Sequence, residues 1–177
     1  MNLFILRHAS AGTRRLNPLL DAKRPLDKDG KRHCLQLAQV LNALNVQFDL
    51  IVSSSLKRSL QTAALIGTET GYEAPILQST ALAPEATVKD FQKLLHDCRD
   101  RENLLVVGHN PNLSAFLGTM LVPAGSPPAQ IRLRKGTLAR LSLNRGPALL
   151  QGLLDPRTVR AFYATSTKSS RKKTSRK

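Results

Sequence analysis

The chain predicts a three-layer α/β/α sandwich with a mostly parallel central sheet and an antiparallel edge strand. Short apolar runs alternate with longer amphipathic segments along most of the 177 residues, the pattern of strands covered by crossover helices. Runs such as Leu3-Phe4-Ile5-Leu6 and Leu104-Leu105-Val106-Val107 contain no polar position, as expected of parallel strands buried on both faces. The last two runs flank the turn Asn144-Arg145-Gly146-Pro147 and so predict an antiparallel pair at the sheet edge.

Taken in order, strands are predicted near 2–7, 48–53, 75–79, 104–108, 137–143 and 147–153. Helices are predicted near 28–44, 56–69, 88–97 and 111–121. In the first helix Cys34, Leu37, Ala38, Leu41 and Leu44 form the core stripe, which leaves His33 on the surface. In the second, Leu56, Leu60, Ala63 and Ala64 share a face, and Ser55 is the natural N-cap. That places Arg58 in the first turn, where the helix dipole alone favours anions over cations. Thr87 caps the third helix, and His96 near its end complements the dipole. Asn110 can cap the fourth, with Pro111 at its first position. Ala124-Gly125-Ser126-Pro127-Pro128-Ala129 is a loop and a candidate for substrate contact.

Three of these strands end in chemistry. The first runs into Arg7-His8, the second into Ser53-Ser54-Ser55 and then Arg58, and the fourth into Gly108-His109-Asn110. In open α/β sheets the ligand crevice lies beyond the carboxyl ends of the strands. Two guanidinium forks, two imidazoles and two helix N-termini gathered there suit a phosphoryl group: the arginines for its oxygens, the imidazoles for attack or proton transfer.

Arg7-His8, Ser-x-Leu-x-Arg-x-x-Gln-Thr from Ser54 to Thr62, and Gly-His-Asn-Pro at 108–111 together resemble the histidine phosphatase superfamily. The short SixA-type branch, the phosphohistidine phosphatases, is the nearest pattern. Arg24-Pro25-Leu26 with Gly30, and Gly152-Leu153-Leu154-Asp155-Pro156 near the end, resemble that branch as well. The resemblance covers roughly residues 1–162 and implies a phosphoglycerate-mutase-like fold. It implies His8 as the nucleophile of a phosphohistidine intermediate. Arg7 and Arg58 would be ligands of the phosphoryl oxygens, and His109 a further donor to the transition state. It calls for no metal and no cofactor, because cationic side chains do that work. His8 must attack as neutral imidazole, and the neighbouring arginines favour that form.

Two departures bear on substrate. The region that carries a glutamate general acid in many superfamily members reads Leu82-Ala83-Pro84-Glu85-Ala86-Thr87 here, with Glu85 the one carboxylate near that strand end. Glu85 is a candidate acid; its plainer reading is a solvated residue ahead of the helix. A phosphohistidine leaves as imidazole and needs less protonation than an alkoxide, so an insecure acid favours a phosphoramidate. Six residues past His8, phosphomutase-like members have asparagine, whereas this chain has Arg14. Arg14, Arg24 and Asn110 are candidate substrate contacts.

Length allows one domain, 1–162, with a basic tail at 163–177. Residues 157–177 carry eight of the fifteen net positive charges, and nothing past Ala164 is apolar, so the tail is expected to be disordered. Cationic tails bind nucleic acid through its phosphates, steer acidic proteins, or simply solubilise. The two cysteines, Cys34 and Cys98, fall in helical segments and read as structural thiols of a reducing, cytoplasmic compartment. No apolar stretch is long enough to span a membrane. The expected function is metal-independent dephosphorylation of phosphohistidine on a signalling or phosphotransfer protein. The alternatives are a phosphate-ester or nucleotide phosphatase using Glu85, and a nucleic-acid or scaffold binder acting through the tail.

Overall fold

The computed structural model describes residues 1–173, with side chains through residue 164. Strands β1 (Asn2–Arg7), β2 (Leu50–Ser53), β3 (Leu77–Gln78) and β4 (Asn103–Gly108) pair in parallel. β5 (Leu138–Ser142) and β6 (Leu149–Leu154) complete the six-stranded sheet in the order β3-β2-β4-β1-β5-β6. β5 runs antiparallel to both β1 and β6, so the predicted edge hairpin is present. Both faces of β1 are buried. Phe4 and Leu6 join one core cluster with Leu37, Leu41 and Ile66; Leu3 and Ile5 join the other with Phe91, Phe116 and Leu117. Those clusters are roofed by helices α2 (Lys28–Ala43) and α3 (Lys57–Glu69) on one side, and α4 (Val88–Asp97) and α5 (Asn112–Met120) on the other. This is the three-layer sandwich, and its central strands β1 and β4 set their C-terminal ends side by side.

Several local expectations need correction. A short helix, α1 (Pro18–Ala22), buries none of its residues and left no apolar periodicity to read. Leu44 is the exposed C-cap of α2 rather than part of its stripe. The N-cap of α3 is Leu56, not Ser55, and it makes no side-chain cap bond. The buried face of α3 is also rotated from the predicted one: Ser59, Thr62, Ala63, Ile66 and Gly67 face inward, and Ala64 is exposed. Polar Ser59 and Thr62 are tolerated there because each is bonded, Ser59 Oγ donating to Val107 O at 2.9 Å and Thr62 Oγ1 accepting from Ala9 N at 3.1 Å. At α5 the cap position falls on Pro111, one residue later than expected, and the Asn110 side chain bonds elsewhere.

Helix α6 (Pro156–Lys173) crosses the predicted domain boundary at 162/163. The first turns of α6 are anchored. Val159 is fully buried, and Tyr163 Oη donates to Gln36 O of α2 at 3.2 Å. Residues 174–177 of the expected tail lie outside the described residues. No helix among the described residues is long and apolar enough to cross a membrane.

Candidate active site

The C-terminal ends of β1, β2 and β4 open into a cleft of about 1230 Å³ lined by Arg7, His8, Arg58, His109 and Asn110, with Arg14, Arg24 and Glu85 toward its mouth. All eight sequence-predicted residues therefore meet in one place. The loop at 124–129 does not line this cleft: Ala129 packs its backbone on Gly118 of α5 instead.

His8 follows directly from β1, its backbone N donating to Gly108 O of β4 at 3.0 Å. Its Nδ1 lies 2.8 Å from Ala9 O. A carbonyl can only accept, so Nδ1 carries the proton and the neutral ring has its lone pair on Nε2. His109 packs against it, the ring centroids 5.1 Å apart and the planes inclined by 52°. His109 Nε2 lies 2.9 Å from Ser54 Oγ. Ser54 Oγ also receives the Leu56 N–H at 3.4 Å; when its own hydrogen goes to His109 Nε2, the ring proton stands on Nδ1. That Nδ1 is buried with no partner among the described residues.

Both rings are held neutral. Burial is the main cause in each, pushing His8 and His109 down to about 3. The positive charges of Arg58 and Arg7 add to it, so the arginines contribute as the sequence suggested but are not the leading cause. For His8 the Ala9 carbonyl pulls the other way.

The arginines are set by contacts that the sequence did not reveal. Arg7 Nη1 donates to Leu133 O at 2.8 Å, and Asn110 Nδ2 donates to the same oxygen at 3.0 Å. Gly136 N in turn donates to both Arg7 O and His8 O. A strap at 133–137 thus ties the ends of β1 and β4 together. His33, expected on the surface, is half-buried against this strap with Nε2 2.8 Å from Gly136 O. Arg58 Nη1 bonds Asp21 O at 3.1 Å and Asp21 Oδ2 at 3.3 Å. Asp21 also holds Arg24 Nε at 2.9 Å, and Arg24 Nη1 donates to Gly12 O at 2.8 Å. The Arg24 guanidinium is therefore largely engaged in fixing the 12–24 segment. The Nε atoms of Arg7 and Arg58 are buried without partners among the described residues. The motif residues Gln61 and Thr62 explain themselves: Gln61 Oε1 accepts from Leu26 N at 2.8 Å, and Thr62 holds the backbone of Ala9. Arg14 and Glu85 are exposed.

Chemically, the cleft presents a neutral imidazole between cationic donors, the arrangement that binds a phosphoryl group and attacks it in line. The comparisons with known proteins agree. Residues 3–97 match the family model of the histidine phosphatase superfamily (branch 1), and the chain belongs to that superfamily. An uncharacterized protein of Picosynechococcus sp. is 28% identical over 158 residues, spanning 88% of this chain and 92% of that protein. The fold is that of the protein histidine phosphatase SixA complexed with tungstate, at a TM-score of 0.77 and 22% identity, covering 90% of this chain and 99% of that one. An alpha-ribazole phosphatase from Shigella flexneri is also similar, with a TM-score of 0.70, 18% identity, and coverage of 88% and 97%. The shared fold thus serves both a protein phosphatase and a small-molecule one.

Proposed function

We propose that this phosphatase removes phosphoryl groups from phosphohistidine on proteins, such as the phosphotransfer domain of a signalling relay. His8 Nε2 attacks phosphorus, forming a new N–P bond as the substrate's P–N bond breaks. The leaving imidazole nitrogen takes up a proton. Water then attacks the phosphohistidine at His8, releasing phosphate and restoring the neutral ring. Arg7, Arg58 and His109 Nδ1 donate to the phosphoryl oxygens as charge develops. Loss of one such donor costs about 3 kcal/mol of barrier, roughly a hundredfold in rate.

One observation carries the choice of a P–N substrate. Three carboxylates line the cleft: Asp21, Asp27 and Glu85. Asp21 is locked to Arg24 and Arg58 and held down to about 2, its largest cause the hydrogen bond from the Arg15 backbone N–H, followed by the bond from Arg24. Asp27 accepts from Ser10 Oγ at 2.6 Å and from Gly30 N at 2.7 Å as the cap of α2. Neither can deliver a proton to a leaving alkoxide, and Glu85 is exposed and unanchored by any ion pair among the described residues. A cleft without a positioned acid suits a leaving group that needs little help.

The test compares a histidine-phosphorylated protein with a panel of phosphate monoesters, with chelator present, for the wild type, His8→Ala and Glu85→Gln. Selective hydrolysis of the P–N phosphate that disappears in His8→Ala and survives in Glu85→Gln supports the proposal. Faster ester turnover that collapses in Glu85→Gln assigns the protein to small-molecule phosphatases with Glu85 as acid.

A further inference from the structure

A second cleft, of about 370 Å³, shares Arg7 and Lys135 with the first and has no assigned role. Its volume falls within the range of small-ligand pockets, about 300–1,000 Å³. Its walls come from three distant parts of the chain: Arg32 from α2; Arg132, Arg134 and Lys135 from the strap and the residues before it; and Arg157 and Arg160 from the first turns of α6. Asp29 is the one carboxylate among the lining residues, and it pairs with Arg32 at 2.7 Å. Arg134 pairs with Asp155 at 2.8 Å. Among the described residues, Arg132, Lys135, Arg157 and Arg160 form no ion pair.

These four cations are exposed and do not build the core. Convergence of like charges from α2, the strap and α6 into one concavity opposes folding, and a solvated arginine on a convex surface would avoid that cost. The pocket is also held in shape: its lining residue His33 lies with Nε2 2.8 Å from Gly136 O, next to Lys135, and Asp155 fixes the start of α6 by accepting from Arg157 N at 2.8 Å. No Phe, Tyr or Trp lines it, so nothing is offered for a nucleobase to stack on. The charge exceeds what a single phosphate neutralises.

The geometry points to a second anion site here, taking a small ligand with two or more linked phosphate groups and no aromatic base. Forked guanidiniums from both sides bind neighbouring phosphates of such a chain, and Lys135 supplies a point charge where the two clefts meet.

The experiment is calorimetric titration of the full chain with inorganic tripolyphosphate at fixed ionic strength, because exposed charges are screened by salt. Three variants accompany the wild type. Arg58→Ala weakens the catalytic cleft as a binding site. The triple variant Arg132→Ala/Arg157→Ala/Arg160→Ala empties the second pocket. Arg99→Ala/Arg101→Ala/Arg145→Ala removes the same charge elsewhere. We expect a binding event that persists in Arg58→Ala and in the charge-matched control but weakens about tenfold or more in the pocket variant. The pocket variant keeps its basal phosphatase activity. Equal weakening in the charge-matched control overturns the site, as would loss in Arg58→Ala alone. Equal competition by sulfate at the same ionic strength, or binding of an oligonucleotide or acidic peptide but not tripolyphosphate, also overturns it.

Discussion

Arg58 Nη1 bridges the backbone carbonyl and the carboxylate of Asp21, at 3.1 Å and 3.3 Å, so this cleft-lining arginine is held by a helix that buries none of its own residues. Both side chains are well covered, Arg58 8% and Asp21 17% exposed. Asp21 orients Arg58 and Arg24 together, and it leaves Arg58 Nε unpaired.

Replacing Asp21 with alanine should therefore disorder Arg58 before it disturbs the fold. A donor displaced by about 1 Å can cost up to a hundredfold in rate, and we expect kcat/KM to fall between about tenfold and a hundredfold. Asp21→Asn, which keeps one acceptor, should fall less. The carboxylate is held down to about 2, so it stays ionised throughout the ordinary range. Its stabilising contribution is fully present above the normal carboxylate pKa and is lost as pH falls from there through about 2. Activity loss between pH 7 and 5 that vanishes in Asp21→Asn would contradict this role.

The paired imidazoles make stability depend on pH in the opposite direction from a histidine that gains an anionic partner on folding. Both are neutral in the fold and pushed down to about 3, whereas an unfolded histidine protonates near 6.5. Below pH 6.5 the unfolded chain binds protons that the folded one does not, so stability falls as pH drops from 6.5 toward 3. By pH 5 the loss is on the order of 2 kcal/mol per histidine. Denaturant melts at pH 7.5 and pH 5 measure it, and His8→Ala should flatten the dependence. An unchanged slope in that variant would show that the ring is protonated in the fold.

How much of this was legible in the sequence follows from how local each signal is. The strands β1 and β4 announce themselves because parallel strands buried on both faces are continuous apolar runs, and the catalytic candidates stand next to them. The Thr87 cap is equally local, and it is present, completed by Asp90 as a capping box. What the sequence hid is long-range. Arg7 meets Leu133 across 126 positions, and His33 meets Gly136 across 103. His33 lies off an apolar stripe, which reads as surface until its distant carbonyl partner is known. Asp21 sits on a five-residue helix with no buried side chain, so periodicity could not flag it. The rotated face of α3 has a related cause: Ser59 and Thr62 look solvent-facing by composition but are buried to bind backbone.

The strap is the part of the site most sensitive to a small change. Gly136 has φ +83°, and a Cβ there would run into the His33 ring. Gly136→Ala therefore combines left-handed strain of about 1–2 kcal/mol with displacement of the strap from Arg7 and His8. We expect a lowered melting temperature together with a fall in kcat. Restoring room with Gly136→Ala/His33→Ala should recover part of the stability. If the single variant were as stable and as active as the wild type, the strap would not be setting the Arg7 position.

On the proposed protein substrate, the mouth of the cleft is the surface that the partner would cover. Leu16, Leu19 and Leu20 are 104%, 76% and 57% exposed, on the segment that bears Arg14 and Arg15 and lines the entrance. A small phosphate ester would reach His8 without touching them, whereas a protein surface would bury them against itself. Exposed leucines on one short segment with Arg14 and Arg15 match an acidic partner with an apolar centre. Since none of the three packs in the core, Leu16→Ser/Leu19→Ser/Leu20→Ser should fold normally. Half-burying each leucine is worth about 1 kcal/mol, so KM for a histidine-phosphorylated protein should rise about tenfold or more. Turnover of free phosphohistidine should not change. Equal kinetics of variant and wild type on the protein would mean that the leucines face solvent throughout the reaction. A parallel loss on both substrates would place them in support of Asp21 instead.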